Sequence, residues 1–414
     1  MDILNDREVA GLKAALQKNA SGGKYVVSDL ITKKNGKTYQ FVDLVMEGGG
    51  TLGIALAGYI YALEQANLRF LSVGGSSVGA IVALLLTCLG RRTEEKGAAL
   101  AEIIADMDMV SFIDGGFISR AFCRLLASGS AGENKLRTLL LALLSSPALI
   151  RRLGLNPGDR FLNWLKDQLA ENGIYTLKDA RRLIEYIPPN LKHRIYGTCF
   201  VRPAAQLKLV AADLTTSSKV VLPEMTPLYW QNPDDVNPAL FARASMSIPG
   251  FFQPMEVTGI ADIPNATQKW ASLCSFAGEL PDKITFADGG LLSNFPISLF
   301  HLPRVPHVPT FGARLGSHSR VVKEINSIGG YIGNMFSSMR HYSDYDFIYN
   351  HPDYRRLITY IPTAGHSWLN FFMTDEEKLV LFKNGMTAAF RFLEGFDWQG
   401  YKNVRRAIHT TADS

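Results

Sequence analysis

Three short stretches of this chain carry residue types whose spacing suits acyl transfer through a serine. In "GGSSVGA", Gly75, Ser77 and Gly79 form G-x-S-x-G. The glycines permit a cramped strand-to-helix turn that thrusts the serine hydroxyl out above a helix N-terminus, where the backbone dipole favours developing negative charge. Ser77 is the candidate nucleophile. In "MEGGGTLG", Gly48, Gly49 and Gly50 precede Thr51, Leu52 and Gly53. A triple glycine lets backbone amides face a crevice, as a tetrahedral oxyanion requires, and the amides near Gly49, Gly50 and Thr51 are expected to bind it. In "KITFADGGLLSNFP", Asp288 ends an apolar run and is followed by Gly289 and Gly290.

The glycine turn also matches G-x-G-x-x-G at Gly48, Gly50 and Gly53. A dinucleotide fold needs an acid about 20 residues further on for the ribose. Here no Asp or Glu falls between Glu64 and Glu94. A phosphate loop needs Lys and Ser or Thr after its last glycine, whereas Ile54 and Ala55 follow Gly53. Both nucleotide readings lose their anchoring residue.

A serine hydroxyl needs a group to take its proton. No histidine occurs before His193, and His301, His307, His318, His341, His351, His366 and His409 sit in no triad context. A carboxylate is the other choice, and Asp288 has the strand-then-glycine setting of the two earlier turns. Asp114, in "VSFIDGGF", offers a second Asp-Gly-Gly. It lies at the entry to a helical tract and lacks the Asn-x-Pro of Asn294 and Pro296, so Asp288 is preferred. One carboxylate in that place serves first to deprotonate Ser77 and then to activate water.

These residues must be positioned by strands and helices. "YQFVDLVM" reads as a strand into the glycine turn, "IALAGYIYALEQ" as a helix, "RFLSV" as a second strand and "VGAIVALLLTCL" as a second helix. A strand-helix-strand crossover makes the strands parallel and brings both turns to one sheet edge. A leading helix is expected over "NDREVAGLKAALQKNASGG", capped by Asn5 or Asp6. Residues 93 to about 190 read as mostly helical, with Thr93 as a cap, a break at Pro147, and Phe161, Leu162, Leu165 and Leu169 on one side of a helix. Such stripes suit core packing or, in a sharper reading, a greasy mouth for acyl chains. Strand signals return at "QLKLVAADL", "SKVVLPE" and "DKITFAD". Thr374 and Glu377 form a capping box before Leu379, Phe382, Met386, Phe390 and Leu393.

With 414 residues, 47% hydrophobic and 20% charged, the chain is long enough for a large buried core. No secretory signal is visible and residency inside the cell is expected. The uncharged stretch between Arg69 and Arg91 carries Gly and Ser in its first half and is strongly apolar only from Val78 to Leu89, which favours a buried helix over a membrane span. Cys88, Cys123, Cys199 and Cys274 lack C-x-x-C spacing, so four reduced, mostly buried thiols are expected and no metal or other cofactor. The net charge of +5 comes with scattered arginine pairs. They suit weak attraction to an anionic membrane surface and, without aromatic interleaving, argue against a nucleic-acid duplex as partner.

"EGGGTLG", "GSSVG" and "DGG", in this order, resemble the patatin-like phospholipase family. "KLVAADLTTSSKVVLPE", "ARASMSIPGFFQP" and the helix from Thr374 look like further family segments, so the similarity covers roughly Phe41 to Glu394. The resemblance implies an α/β three-layer sandwich, a mostly parallel central sheet flanked by helices with a helical insertion. It implies a 1–40 helical extension, a catalytic domain over 41–394 with the insertion at about 93–190, and a 395–414 tail. It implies a lipid acyl hydrolase of phospholipase A type. Ser77 is then nucleophile, Asp288 base, Gly48 to Thr51 the oxyanion loop, and Gly53, Gly75, Gly79, Gly289 and Gly290 motif supports. Substrates are phospholipids or other acyl-ester lipids met at a membrane surface, in the cytoplasm or at the inner membrane face, and some bacterial members answer to an activator. One departure stands out: many members carry Arg or Lys where this chain has Leu52. Rival expectations are a Ser-His-Asp esterase and, because of Leu52, a catalytically weak lipid-binding protein.

Overall fold

The computed structural model describes residues 2–116, 119–120, 151–197, 205–317, 325, 335, 338 and 344–412. In chain order the elements are α1 (Arg7–Ser21), β1 (Leu30–Lys34), β2 (Lys37–Met46), α2 (Gly53–Gln65), β3 (Leu68–Ser76), α3 (Val78–Cys88) and α4 (Gly97–Asp106). Then come β4 (Gly154–Asn156), α5 (Asp159–Ala170), α6 (Leu177–Ile184), β5 (Lys192–His193), β6 (Leu207–Asp213), β7 (Ser218–Leu222) and α7 (Ala239–Ser245). The chain continues through β8 (Gly250–Phe252), β9 (Met255–Thr258), α8 (Ala266–Cys274), β10 (Lys283–Asp288), β11 (Thr310–Leu315), β12 (Ile358–Ile361), α9 (Asp375–Gly395) and α10 (Trp398–Ala412).

The main sheet runs β12-β11-β2-β3-β6-β10-β9. It is parallel from β12 to β6 and antiparallel from β6 through β10 to β9. β7 folds back on β6, and β1 lies antiparallel along the first half of β2. Neighbouring glycines of β3 mark the two faces, because successive strand residues point to opposite sides. A Cβ on Gly75 would meet Gly79 of α3, and one on Gly74 would meet Leu299. The helices α3, α2, α4 and α9 thus cover one face, and the segment around Ile297–Phe300 covers the other. The result is the expected three-layer α/β architecture.

Every residue of α2 and of α3 is buried. Each buried Leu, Ile or Val side chain contributes about 1.5–3 kcal/mol, which is why the uncharged helix α3 suits this place. Among the described residues no helix is long and apolar enough to cross a membrane. α2 and α9 touch backbone to backbone: a Cβ on Gly58 would lie 2.1 Å from the Phe382 carbonyl, and one on Gly385 2.0 Å from that of Ala55. α9 opens with the Thr374–Glu377 capping box, and Phe382, Met386 and Leu393 are buried as its spacing requires. α1 is capped by Asp6, whose carboxylate accepts from Glu8 and Val9 amides.

One expectation is corrected. α4 starts at Gly97 and not behind a Thr93 cap, because the Glu64 carboxylate of α2 takes the Lys96 and Gly97 amides. That cap is tertiary and leaves no local signature. Within the 93–190 tract, read as mostly helical, the described residues hold α4, α5 and α6 together with the short strand β4, which pairs with β8 beyond the tract. The Pro147 break, Cys123, Cys199, His318 and His341 lie outside the described residues. Cys88 is buried, Cys274 is partly exposed, and both are free thiols. Residues 395–414, expected as a tail, hold α10, which is anchored by buried Trp398 and Tyr401.

Candidate active site

Ser77 stands between the end of β3 and the start of α3 with φ 51° and ψ −123°. A non-glycine residue held there costs about 1–3 kcal/mol and persists only when its surroundings dictate it. The surroundings do so. The Ser77 amide donates to Ser245 Oγ at 2.9 Å, and that hydroxyl donates to the Val210 carbonyl at 2.5 Å. The Ser77 carbonyl accepts the Ala80 and Ile81 amides at 2.9 and 3.1 Å, starting α3. The Ser77 side chain does not cap the helix and is 3% exposed.

Asp288 reaches the same place from the opposite direction. Ser76 pairs with Val210 on one side of β6, and Asp288 pairs with Ala211 on the other. β3 runs parallel to β6 and β10 runs against it, so both strands terminate at the level of Val210–Ala211. Gly289 packs into that junction: a Cβ there would lie 2.0 Å from the Val210 carbonyl oxygen and 2.6 Å from Ser76 Oγ. The Asp288 amide donates to the Ser247 carbonyl at 2.8 Å, and its Oδ1 accepts the Gly290 amide at 2.8 Å. The carboxylate is 5% exposed. Gly48 closes the group, because a Cβ there would lie 3.1 Å from Ser77 Cβ and 2.6 Å from Asn294 Oδ1. The three stretches singled out in the sequence therefore meet. The antiparallel approach of β10 departs from the shared-edge grammar on which Asp288 was chosen.

The glycine turn is narrower in its donors than its sequence implies. The Gly48 amide donates to the Asn294 carbonyl and the Thr51 amide to the Trp368 carbonyl, both at 2.9 Å. Among the described residues no acceptor is seen for the Gly49 and Gly50 amides. Of the Gly48–Thr51 set, Gly49 and Gly50 are the two with donors to offer an oxyanion. Gly50 has φ 56°, and a Cβ there would lie 2.0 Å from the Trp368 carbonyl oxygen, so the turn requires glycine at this point. Leu52 is buried and leads into α2, whose first residue, Gly53, packs against Val78.

Ser77, Gly50 and Thr51 open onto an apolar cleft walled by Val78, Ile81, Met107, Met109, Phe112 and Phe161, and closed by Met246, Ile248, Phe252 and Phe371. Phe112 and Phe161 meet edge to face at 5.4 Å, and Phe251 stacks on Phe371 at 4.6 Å. Of the stripe Phe161, Leu162, Leu165 and Leu169, Phe161 lines this cleft, while Leu165 and Leu169 are buried in the core. The cleft encloses only about 40 Å³, far below the roughly 300–1,000 Å³ of ordinary ligand clefts.

No histidine is among the described residues that line this cleft. Asp114 caps α5 instead, accepting the Gly158 and Arg160 amides at 3.2 and 3.3 Å. A cluster that the sequence did not reveal joins Asp29, His193 and His307. Lys402 already donates to both Asp29 oxygens at 2.8 and 2.9 Å. His193 Nδ1 accepts the Ile195 and Tyr196 amides, which leaves the proton on Nε2, the atom a metal would need. The cluster is better suited to an ion pair than to a metal. Ser245, Glu47 and Arg314 are further site neighbours missed in the sequence. Their only signals were the "ARASMSIP" stretch and the Glu before the triple glycine.

The patatin-like phospholipase family model matches residues 44–301, more than half of the chain. An uncharacterized protein of Bacillus subtilis (strain 168), YqhO, is 29% identical over 359 residues, covering 86% of this chain and 98% of its own length. Among solved structures, VipD from Legionella pneumophila is similar with a TM-score of 0.44 and 18% identity, over 89% of this chain and 70% of that one. The complex of SpcU with ExoU from the type III secretion system of Pseudomonas aeruginosa matches with a TM-score of 0.38 and 17% identity, over 86% of this chain and 52% of that one.

Proposed function

This chain belongs to the patatin-like phospholipase family, and from that premise we propose that it is a serine lipid acyl hydrolase of phospholipase A type working through Ser77 and Asp288. The observation that carries the reading is the meeting of Ser77, Gly48 and Asp288–Gly289 around the Val210 end of β3 and β10, beside an apolar cleft. Asp288 takes the hydroxyl proton as Ser77 Oγ attacks the ester carbonyl. The Gly49 and Gly50 amides and the α3 dipole stabilise the oxyanion. As the intermediate collapses, the carbon–oxygen bond to the lysolipid breaks and the proton passes to its alkoxide. Asp288 then deprotonates water as it attacks the acyl-Ser77 ester; as this second intermediate collapses, the carbon–oxygen bond to Ser77 breaks, the proton returns from Asp288 to Ser77 Oγ, and the fatty acid is freed.

The substrate would be met at a membrane surface without insertion of a helix, from the cytoplasm or the inner membrane face, with the narrow cleft opening there. A small molecule or protein activator would act by widening it. The test is fatty-acid release from mixed phospholipid vesicles by the native chain, Ser77→Ala and Asp288→Asn, with fluorophosphonate labelling in parallel. Release and labelling by the native chain alone are expected. Equal release from all three proteins ends the proposal.

A further inference from the structure

The glycine turn is preceded by Glu47, a buried carboxylate that the chemistry above does not use. It is 3% exposed and is surrounded by three donors from two other parts of the chain. Its Oε1 accepts Asn294 Nδ2 at 3.2 Å and Arg314 Nε at 3.3 Å, and its Oε2 accepts the Leu315 amide at 2.7 Å. Asn294 also donates to the Gly48 carbonyl at 3.2 Å, while its own carbonyl accepts the Gly48 amide. Glu47 and Gly48 are thereby tied to the segment that follows Asp288 and to the end of β11. The Leu315 side chain lies under Gly49, where a Cβ would meet it at 2.3 Å.

Arg314 is itself held. It is 5% exposed, with its guanidinium 5.0–5.7 Å from the ring centres of Tyr345, Phe295 and Tyr360. Asp344 fastens the same corner, accepting Ser293 Oγ at 2.8 Å and the Phe295 amide at 2.7 Å. The glycine turn itself carries no cation, and its Leu52 is buried.

We infer that Arg314, acting through Glu47 and Asn294 from outside the turn, is the positioning cation that sets the Gly48–Gly50 backbone against Ser77. This rests on the proposed acyl-hydrolase reading of the site. An ionised Glu47 accepts all three donors at once, whereas a protonated one presents a hydrogen to groups that are themselves donors. Burial pushes Glu47 up to about 7, against Arg314 and the Leu315 amide, with Asp344 raising it further. The charged or titrating groups facing this corner are Arg314 from β11, Asp344 from the 344–350 helix, Lys219 of β7 facing Asp344, and Tyr345 and Tyr360 facing Arg314. Acid therefore removes the charge from the tie between the turn and β11, even though burial makes the protonated carboxyl the less costly form for the fold as a whole.

The experiment compares the native chain with Arg314→Lys, Arg314→Met, Glu47→Gln and the double variant Glu47→Gln/Arg314→Met. The readouts are p-nitrophenyl butyrate hydrolysis across pH and amide hydrogen exchange over residues 46–52. Arg314→Met is expected to lower kcat about tenfold or more with KM little changed, since misplaced donors weaken the transition state more than binding. Arg314→Lys should recover part of that loss. Arg314→Met in the Glu47→Gln background should add little, and this pair remains informative if the single Met variant fails to fold. Glu47→Gln should lose the limb in kcat near pH 7. Exchange over 46–52 should quicken in Arg314→Met while α9 is unchanged. A folded Arg314→Met protein with native kcat and native exchange in that segment overturns the inference. If the native chain hydrolyses no ester, the acyl-hydrolase reading fails, and the exchange comparison still decides whether Arg314 positions the turn.

Discussion

The backbone amide of Ser77 donates to the hydroxyl of Ser245, 168 residues away in the chain, at 2.9 Å. Ser245 passes the bond on to the Val210 carbonyl, and Ser247, two residues later, accepts the Asp288 amide through its own carbonyl. The short stretch Ser245–Ser247, at the C-terminal end of α7, therefore holds both the Ser77 turn and Asp288.

Ser245→Ala removes the acceptor of a buried amide, which costs about 1–3 kcal/mol. Turnover is expected to fall about tenfold or more as the strained elbow relaxes. Thermal unfolding and ester hydrolysis measured together check this. A lower Tm with native kcat would show that Ser245 supports the fold without placing the nucleophile.

Phe371 closes the cleft and stacks on Phe251. Phe371→Ala is expected to cost about 3–5 kcal/mol of stability and to widen the space in front of Ser77. The ratio of palmitoyl to butyryl ester turnover should rise. An unchanged ratio in a folded variant would place the acyl path elsewhere.

Glu47 also predicts a pH dependence of stability. Burial raises its carboxyl from 4.5 to about 7 in the folded chain, so the fold binds this proton more tightly than the unfolded chain does. Its contribution is fully present below about pH 4.5 and is lost as pH rises through about 7. Relative to Glu47→Gln, the native protein should lose Tm between pH 5 and about 8. A Tm difference constant over that range would contradict the raised value.

The C-terminal helix α10 is fixed by Lys402 on Asp29, both buried, with Trp398 Nε1 donating to the same carboxylate at 2.8 Å. Lys402→Met leaves a buried charge without its counter-ion and is expected to cost about 3–5 kcal/mol in urea unfolding. Asp29→Asn/Lys402→Met should recover most of the loss. A double variant no more stable than the single one would mean that the ion pair is incidental.

Much of this protein is local and could be read from neighbours in the chain. The 3.6-residue spacing of α9, the Thr374 box, the Asp6 cap and the strand-turn-helix around Ser77 each depend on residues within one or two turns of each other. The glycine turn, G-x-S-x-G and Asp-Gly-Gly likewise announce backbone shapes that only a few residue types allow.

Tertiary structure decided what these shapes face. The direction of β10, the Glu64 cap on α4, the loss of the Gly48 and Thr51 amides to Asn294 and Trp368, and the Glu47–Arg314 pair all join residues far apart in sequence. A hydrogen-bond donor has the same residue type whether its partner is a neighbour or lies hundreds of residues away. Only the packed sheet selects that partner, because burial makes an unpaired polar group costly and leaves one arrangement that satisfies them together.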